Sequence, residues 1–273
     1  AALQQTRFAA MECVALADTP TAASIIMCAG IVAAFLGPEL AMAGQQLAVV
    51  QFRGSFWLGA LCLLLAAGLL LFYTPAQHTA VRASDGGRSL AEMLKNPSLL
   101  LAIASGAIAF VVMSFVMTAT PISMHLHHGH SMADTKWVLQ SHIAAMFLPS
   151  LLTAWLFRWL SIRGLMLTGL ACYSVTIVVG LLDTSVMGFW GQLVMLGIGW
   201  NFLFVAGTAL LPTAYQHGEQ YRAQALNDSV VFSCQAFASL AAGWASNALS
   251  WQMLLLLCLV PMMVMAALLW REG

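Results

Sequence analysis

Few side chains here could do chemistry, and they are unevenly placed. Four histidines fall within six residues, His125-Leu126-His127-His128-Gly129-His130. Imidazoles suit zinc, copper or nickel. The spacing fits no standard structural zinc pattern, no cysteine or carboxylate interleaves, and Asp134 is the nearest acid. An external loop of solvated histidines is therefore expected, with a metal site on His125, His127, His128 and His130 as the weaker alternative. His142 stands next to Ser141 and two residues after Gln140. An imidazole titrates near neutral pH, which suits proton coupling, and a packed or water-bonded ring is the competing reading.

Two acids and one amide sit in apolar surroundings. Asp228 follows Asn227 near the start of a membrane-length segment. There the helix dipole would stabilise a carboxylate. The functional alternative is a gate in which Asp228 pairs with Arg163 or Arg222. Glu39 follows Gly37-Pro38 and reads first as a solvated helix-end carboxylate, with proton coupling second. Asn201 lies inside an apolar run beside Trp200. An amide there must bond either a solute or a neighbouring helix, and both readings stay open. Trp200 would be an aromatic wall in the first case and packing in the second. Met113, Met117, Met124, Met132, Met262, Met263 and Met265 read as adaptable core filler rather than a copper site.

Enzyme motifs are missing. The chain contains no GxxxxGK[ST] phosphate loop, no HExxH, no GxSxG and no paired carboxylates within one apolar run. Neither an enzyme nor a cofactor is expected.

The elements that position these residues are read from the spacing of charge. Long apolar runs recur: 55–73, 99–120, 143–160, 165–182, 189–211 and 251–270. Each is about long enough to cross roughly 30 Å of hydrocarbon as a helix. Composition agrees, at 61% hydrophobic and 7% charged residues with zero net charge over 273 residues. Nucleic-acid binding has no electrostatic basis. The six cysteines form no CxxC pair, so neither disulfides nor zinc are indicated. The result is an all-α polytopic bundle with eight spans, about 20–43, 51–73, 97–121, 138–160, 164–183, 187–212, 223–246 and 250–270.

A single alternating path puts Arg7, Arg82, Arg88, Lys95, Arg163, Arg222 and Arg271 on one side, with Arg158 at its boundary. Only Arg53 and Lys136 fall opposite, so the basic side is expected to be cytoplasmic. The longest loop, around 74–96, lies on that side. It holds Ser84-Asp85-Gly86-Gly87, a flexible linker composition, and then Ser89–Lys95, read as a short interfacial helix. There is no initiator Met and no signal peptide. Ala1–Ala10 resembles the tail of an earlier helix, and four preceding helices are expected.

Several segments together resemble the major facilitator superfamily. Gly30-Ile-Val-Ala-Ala-Phe-Leu-Gly37-Pro38-Glu39 resembles the glycine-proline motif of the fifth helix of antiporter-type exporters, with Ala41 and a displaced Gly44 where a glycine pair is expected. Met117-Thr-Ala-Thr-Pro121-Ile-Ser-Met124, His142 through Pro149-Ser150, Gly197-Ile-Gly-Trp-Asn201 and Gln224-Ala-Leu-Asn227-Asp228 resemble bacterial members. Arg158-Trp-Leu-Ser-Ile-Arg163-Gly164 occupies the place of the basic loop between the second and third helices of a half, without its acidic partner.

The resemblance implies proton-coupled export of a small molecule from a bacterial inner membrane, by rocker-switch alternation around a midplane site. It implies that 1–73 is a remnant of the first half, 74–96 the linker, and 97–273 a six-helix second half, working as a monomer. Gly30, Gly37 and Pro38 become a conformational motif. Asn201, Asp228, His142, Gln140 and Trp200 become substrate or proton-coupling candidates, and Arg158, Arg163 and Arg222 gate candidates. Half a domain short, the chain by itself is expected not to transport. A membrane metal-handling protein and an intramembrane enzyme are the alternatives.

Overall fold

The computed structural model describes residues 19–72, 88–216 and 218–271. The segment Ala1–Ala10 and most of the expected linker lie outside the described residues. Among those described, the regular structure is all helical. The chain forms two compact units, Ala1–Ala80 and Val81–Gly273.

In the first unit, α1 (Thr19–Gln45) and α2 (Arg53–Leu70) pack as a hairpin. Their closest contact lies near the end of α1. A Cβ on Gly37 would meet nothing within 4 Å, whereas one on Gly44 would lie 2.4 Å from the Ser55 Cα. Ser55 Oγ also donates to the Ala41 carbonyl at 2.5 Å. Close approach therefore runs through Gly44 and Gly54, not through Gly37. Glu39 is exposed on α1, six residues before its end. Gly54 is the buried residue of α2, while Leu64, Leu69 and Phe56 are exposed. A helix apolar all round is suited to hydrocarbon rather than water.

The second unit begins with a single helical turn, α3 (Leu90–Met93), shorter than the interfacial helix expected. Ser89 and Glu92 close it as a capping box, each side chain bonding the other's backbone N–H. Asn96 then caps α4 (Pro97–Ile122), with Pro97 where its missing N–H costs nothing. A π-helical turn, Ser123–His127, extends α4 beyond its expected end. The next span starts earlier than its apolar run, as α5 (Met132–Phe147). The cause is a second capping box, Ser131 with Asp134, in a stretch too polar to show as apolar. That span then breaks into a tight 3-10 turn, Leu148–Leu152, before α6 (Thr153–Trp159).

Serine caps open three more helices: Ser161 for α7 (Ile162–Leu182), Ser185 for α8 (Val186–Ala214) and Ser250 for α10 (Trp251–Leu257). Between them lies α9 (Gln220–Ala248), and after Cys258 comes α11 (Leu259–Arg271). Among the described residues, five stretches are individually long and apolar enough to cross a membrane: 53–70, 97–127, 162–182, 186–214 and 251–271. Trp137 and Trp190 stack at 5.8 Å at the histidine end of the unit, and Trp159 and Trp270 are exposed at the opposite, linker end. Tryptophans at both ends match membrane interfaces.

At the centre, α8 packs against three partners through glycines on different faces. A Cβ on Gly197 would lie 2.7 Å from the His142 carbonyl of α5, on Gly199 2.6 Å from the Tyr173 ring of α7, and on Gly207 2.9 Å from the Ala102 carbonyl of α4. Small residues at such crossings let helix backbones approach within van der Waals range, the main attraction available in lipid. Tyr173 completes the lattice by donating to the Ala109 carbonyl of α4 at 2.7 Å. The remaining major contact is α9 on α4.

Candidate functional site

The seam between α5 and α8 gathers the buried polar groups. His142 is fully buried, and its Nδ1 donates to the Leu193 carbonyl at 2.8 Å. Its Nε2 is buried with no hydrogen-bond partner among the described residues. One turn on, Asn201 donates through Nδ2 to the Met146 carbonyl at 2.7 Å and to Ser150 Oγ. The amide nitrogen thus joins two helices. Because α5 starts at Met132, His142 lies ten residues inside the helix, about 15 Å along it, rather than near its start as the expected span 138–160 implies. Gln140 is buried as well. Two residues apart on a helix, Gln140 and His142 face roughly opposite directions and do not form one site.

Trp200 faces a cluster of rings from its own helix and from two others. Its centroid lies 5.1 Å from Phe110 of α4, 5.0 Å from Phe204 and 6.3 Å from Phe147 of α5. Phe232 of α9 reaches Phe110 at 5.7 Å. The Trp200 Nε1 is buried without an acceptor among the described residues. On α9, Asp228 is half-buried and accepts from Asn227 Nδ2 at 3.1 Å. It sits about 12 Å past the first residue of α9, while the dipole acts within the first turn. The dipole account of Asp228 is therefore incorrect.

A separate apolar groove of about 530 Å³ opens between α4, α9 and the α10–α11 break, walled by Val112, Phe115, Cys234, Phe237, Cys258 and Pro261. It contains none of the candidate residues.

At the linker end the structure shows an ion pair that the sequence reading missed. Glu219 is fully buried, and Arg88 reaches it from 131 residues away. Arg88 Nη2 contacts Oε2 at 2.7 Å, its Nε contacts Oε1 at 3.0 Å, and its backbone N–H adds a bond at 2.8 Å. The Gln216 N–H supplies a fourth donor at 2.9 Å. Bonds from the Arg88 guanidinium, then from the Gln216 amide, hold the Glu219 carboxyl down to about 2. Arg222, one of the two partners weighed for Asp228, donates to the Arg88 carbonyl at 3.0 Å. Arg158 is exposed in the last turn of α6. Exposed Arg163 lines a small pocket of about 280 Å³ with Ser98, Ser161 and Leu210.

The histidine segment is more ordered than a solvated loop. His128 Nδ1 bonds the Ser123 carbonyl at 2.9 Å, His125 Nδ1 the His130 carbonyl at 3.0 Å, and His130 Nε2 the Thr184 carbonyl at 2.8 Å. His128 and His130 also pack on Phe189. His125 and His127 are exposed. Among the described residues, no three His, Cys, Asp or Glu side chains converge as metal ligands, and Asp134 is used as a cap.

Comparisons with known proteins bear on the whole arrangement. No protein-family model matches the chain. The riboflavin transporter RfnT of Brucella anthropi is 35% identical over 253 residues, covering 92% of this chain and 63% of its own length. Two Bacillus subtilis proteins, the uncharacterized MFS-type transporters YddS and YdeG, are each 28% identical, over 76% and 83% of the chain. The chain spans 51% and 56% of their lengths. With its helical membrane-type architecture, the chain belongs to the major facilitator superfamily of transporters.

Proposed function

We propose that the chain serves secondary active transport of a small, neutral, planar heteroaromatic solute of the riboflavin type. Alternating access moves the solute outward in exchange for protons. The observation that carries the reading is the ring cluster of Phe110, Trp200, Phe204 and Phe232 with the unbonded Trp200 Nε1. A buried donor left unpaired is costly, and a polar solute or water reaching it would remove that cost. Rings and few charges suit a flat neutral solute. The similarity to a riboflavin transporter gives the solute class its name.

His142 and Asp228 are the coupling groups of this reading. The first is an imidazole with one uncommitted nitrogen, and the second is a carboxylate on a membrane-length helix. The export direction rests on the Gly37-Pro38 resemblance. Residues 97–273 form the second half of the carrier, with basic loops on the cytoplasmic face of the plasma membrane.

The test is riboflavin flux in proteoliposomes under an imposed pH gradient. It compares the 273-residue chain with the same chain completed to the length of the riboflavin relative. Riboflavin-dependent proton movement in the completed protein is expected, weakened by Trp200→Phe and lost in His142→Ala. Flux that ignores the pH gradient removes proton coupling. No riboflavin flux removes the solute class.

A further inference from the structure

We infer that Asn201 is the pin of a hinge in the fourth apolar span, holding α6 at a fixed angle to α5 through the Leu148–Leu152 break. The argument begins at Pro149. A proline has no backbone N–H to give to the preceding turn. The following residues adopt the tight 3-10 pattern, in which each N–H points to the carbonyl three residues back. Ser150 N–H is therefore drawn to Phe147, and Pro149 has none to offer Met146. The Met146 carbonyl loses both of its possible helical donors.

In hydrocarbon such a carbonyl needs a partner from elsewhere. Asn201 supplies it. One amide donates both to Met146 O, before the break, and to Ser150 Oγ, in the middle of it. The side chain is 1% exposed, so water does not compete. The end of α5 and the middle of the break, three residues before α6, are thereby tied to one point on α8, the helix that Gly197, Gly199 and Gly207 lock into the bundle. Freed of that tie, the helix would have a proline break held by apolar packing alone, with Phe147, Leu156 and Phe157 against the core. Such sites are where membrane helices bend.

The part of the chain that would move is α6, which carries the gate candidate Arg158. Its seven residues make a lever about 10 Å long. A change of about 20° at the break would carry its far end about 3–4 Å. A hinge of this size suits a gate that opens toward the linker end. That assignment rests on the transporter reading, whereas the hinge itself does not.

Electron-spin distance measurement tests the hinge without reference to transport. Labels go on Arg158→Cys and Thr213→Cys in the whole chain, in lipid nanodiscs, with the native cysteines replaced. Asn201→Leu should lengthen or broaden the distance distribution by about 3–4 Å, the lever estimate above. Pro149→Ala should narrow it, because an alanine N–H lets the helix run on. Adding Asn201→Leu to Pro149→Ala should then change nothing further. An unchanged distribution in Asn201→Leu, or equal broadening with and without Pro149, would overturn the inference. If Asn201→Leu alone fails to fold, the double variant carries the test: a distribution matching Pro149→Ala supports the pin, and a broader one rejects it.

Discussion

The close approach of α5 to α8 can be tested at one atom. Gly197→Ala adds a Cβ that would sit 2.7 Å from the His142 carbonyl, 3.0 Å from the Ala145 Cβ and 3.1 Å from the Met146 N. Backbone atoms cannot swing aside, so α5 must retreat. Overpacking of this kind costs about 1–3 kcal/mol. Alanine also gains about 1 kcal/mol of helix propensity over glycine. Gly191→Ala isolates that gain, because its Cβ would meet nothing within 4 Å on the same helix. The difference between the two variants therefore cancels propensity and leaves about 1–3 kcal/mol of clash. Unfolding in mixed micelles, titrated with denaturing detergent, reads that difference directly. A retreat of about half an ångström would also stretch the 2.8 Å His142–Leu193 and 2.7 Å Asn201–Met146 bonds toward the limit of useful geometry. Equal stability of Gly197→Ala and Gly191→Ala would refute the close-packed seam and with it the placement of His142 and Asn201.

Other expectations follow from single contacts. Tyr173→Phe removes one buried hydrogen bond to α4 and should lower stability by about 0.5–1.5 kcal/mol without moving the ring, as measured by thermal unfolding. The Glu219 carboxyl is held at about 2 when folded, below its ordinary 4.5. Its contribution is therefore fully present above pH 4.5 and lost as pH falls toward 2. Amide exchange at Gln216 and Ala223 should stay slow from pH 7 to 5 after correction for intrinsic rates. Glu219→Gln should speed it at every pH, and exchange in that variant as slow as in the native chain would show that the ion pair holds nothing. Zinc should not raise the melting temperature. A rise that disappears when His125, His127, His128 and His130 are all replaced would restore the metal-handling alternative.

The spans were legible because hydrocarbon demands one thing of a helix, about twenty apolar residues, and charge spacing records it. The ends were less so. Ser131 and Asp134 start α5 six residues before the expected span 138–160, because a cap is polar and hydropathy cannot register it. Pro149 was in plain view, but whether a proline kinks a helix or breaks it depends on the partner that takes up the freed carbonyl. That partner is Asn201, on another helix. For the same reason the helix-joining bonds of Asn201 could not be read from its own segment. The burial of His142 depends on α8 and could not be read from its own helix, and the early start of α5 carries it deeper along the helix than the expected span 138–160 implies. The Arg88–Glu219 pair was invisible for a different reason. Arg88 had been counted only as one of the basic loop residues, and pairing across 131 residues leaves no local pattern.

That separation has a bearing on how the chain is made. Arg88 leaves the ribosome 131 residues ahead of Glu219, and α4 through α8 are synthesised in between. The clamp cannot close until all of them have been threaded and α9 has begun. Until then the carboxylate has no existence and the guanidinium stays in water. Closure at residues 88 and 219 thus marks completion of most of the second unit. A protease acting at the linker during biosynthesis would meet an unfastened strand in unfinished chains and a fastened one in finished molecules.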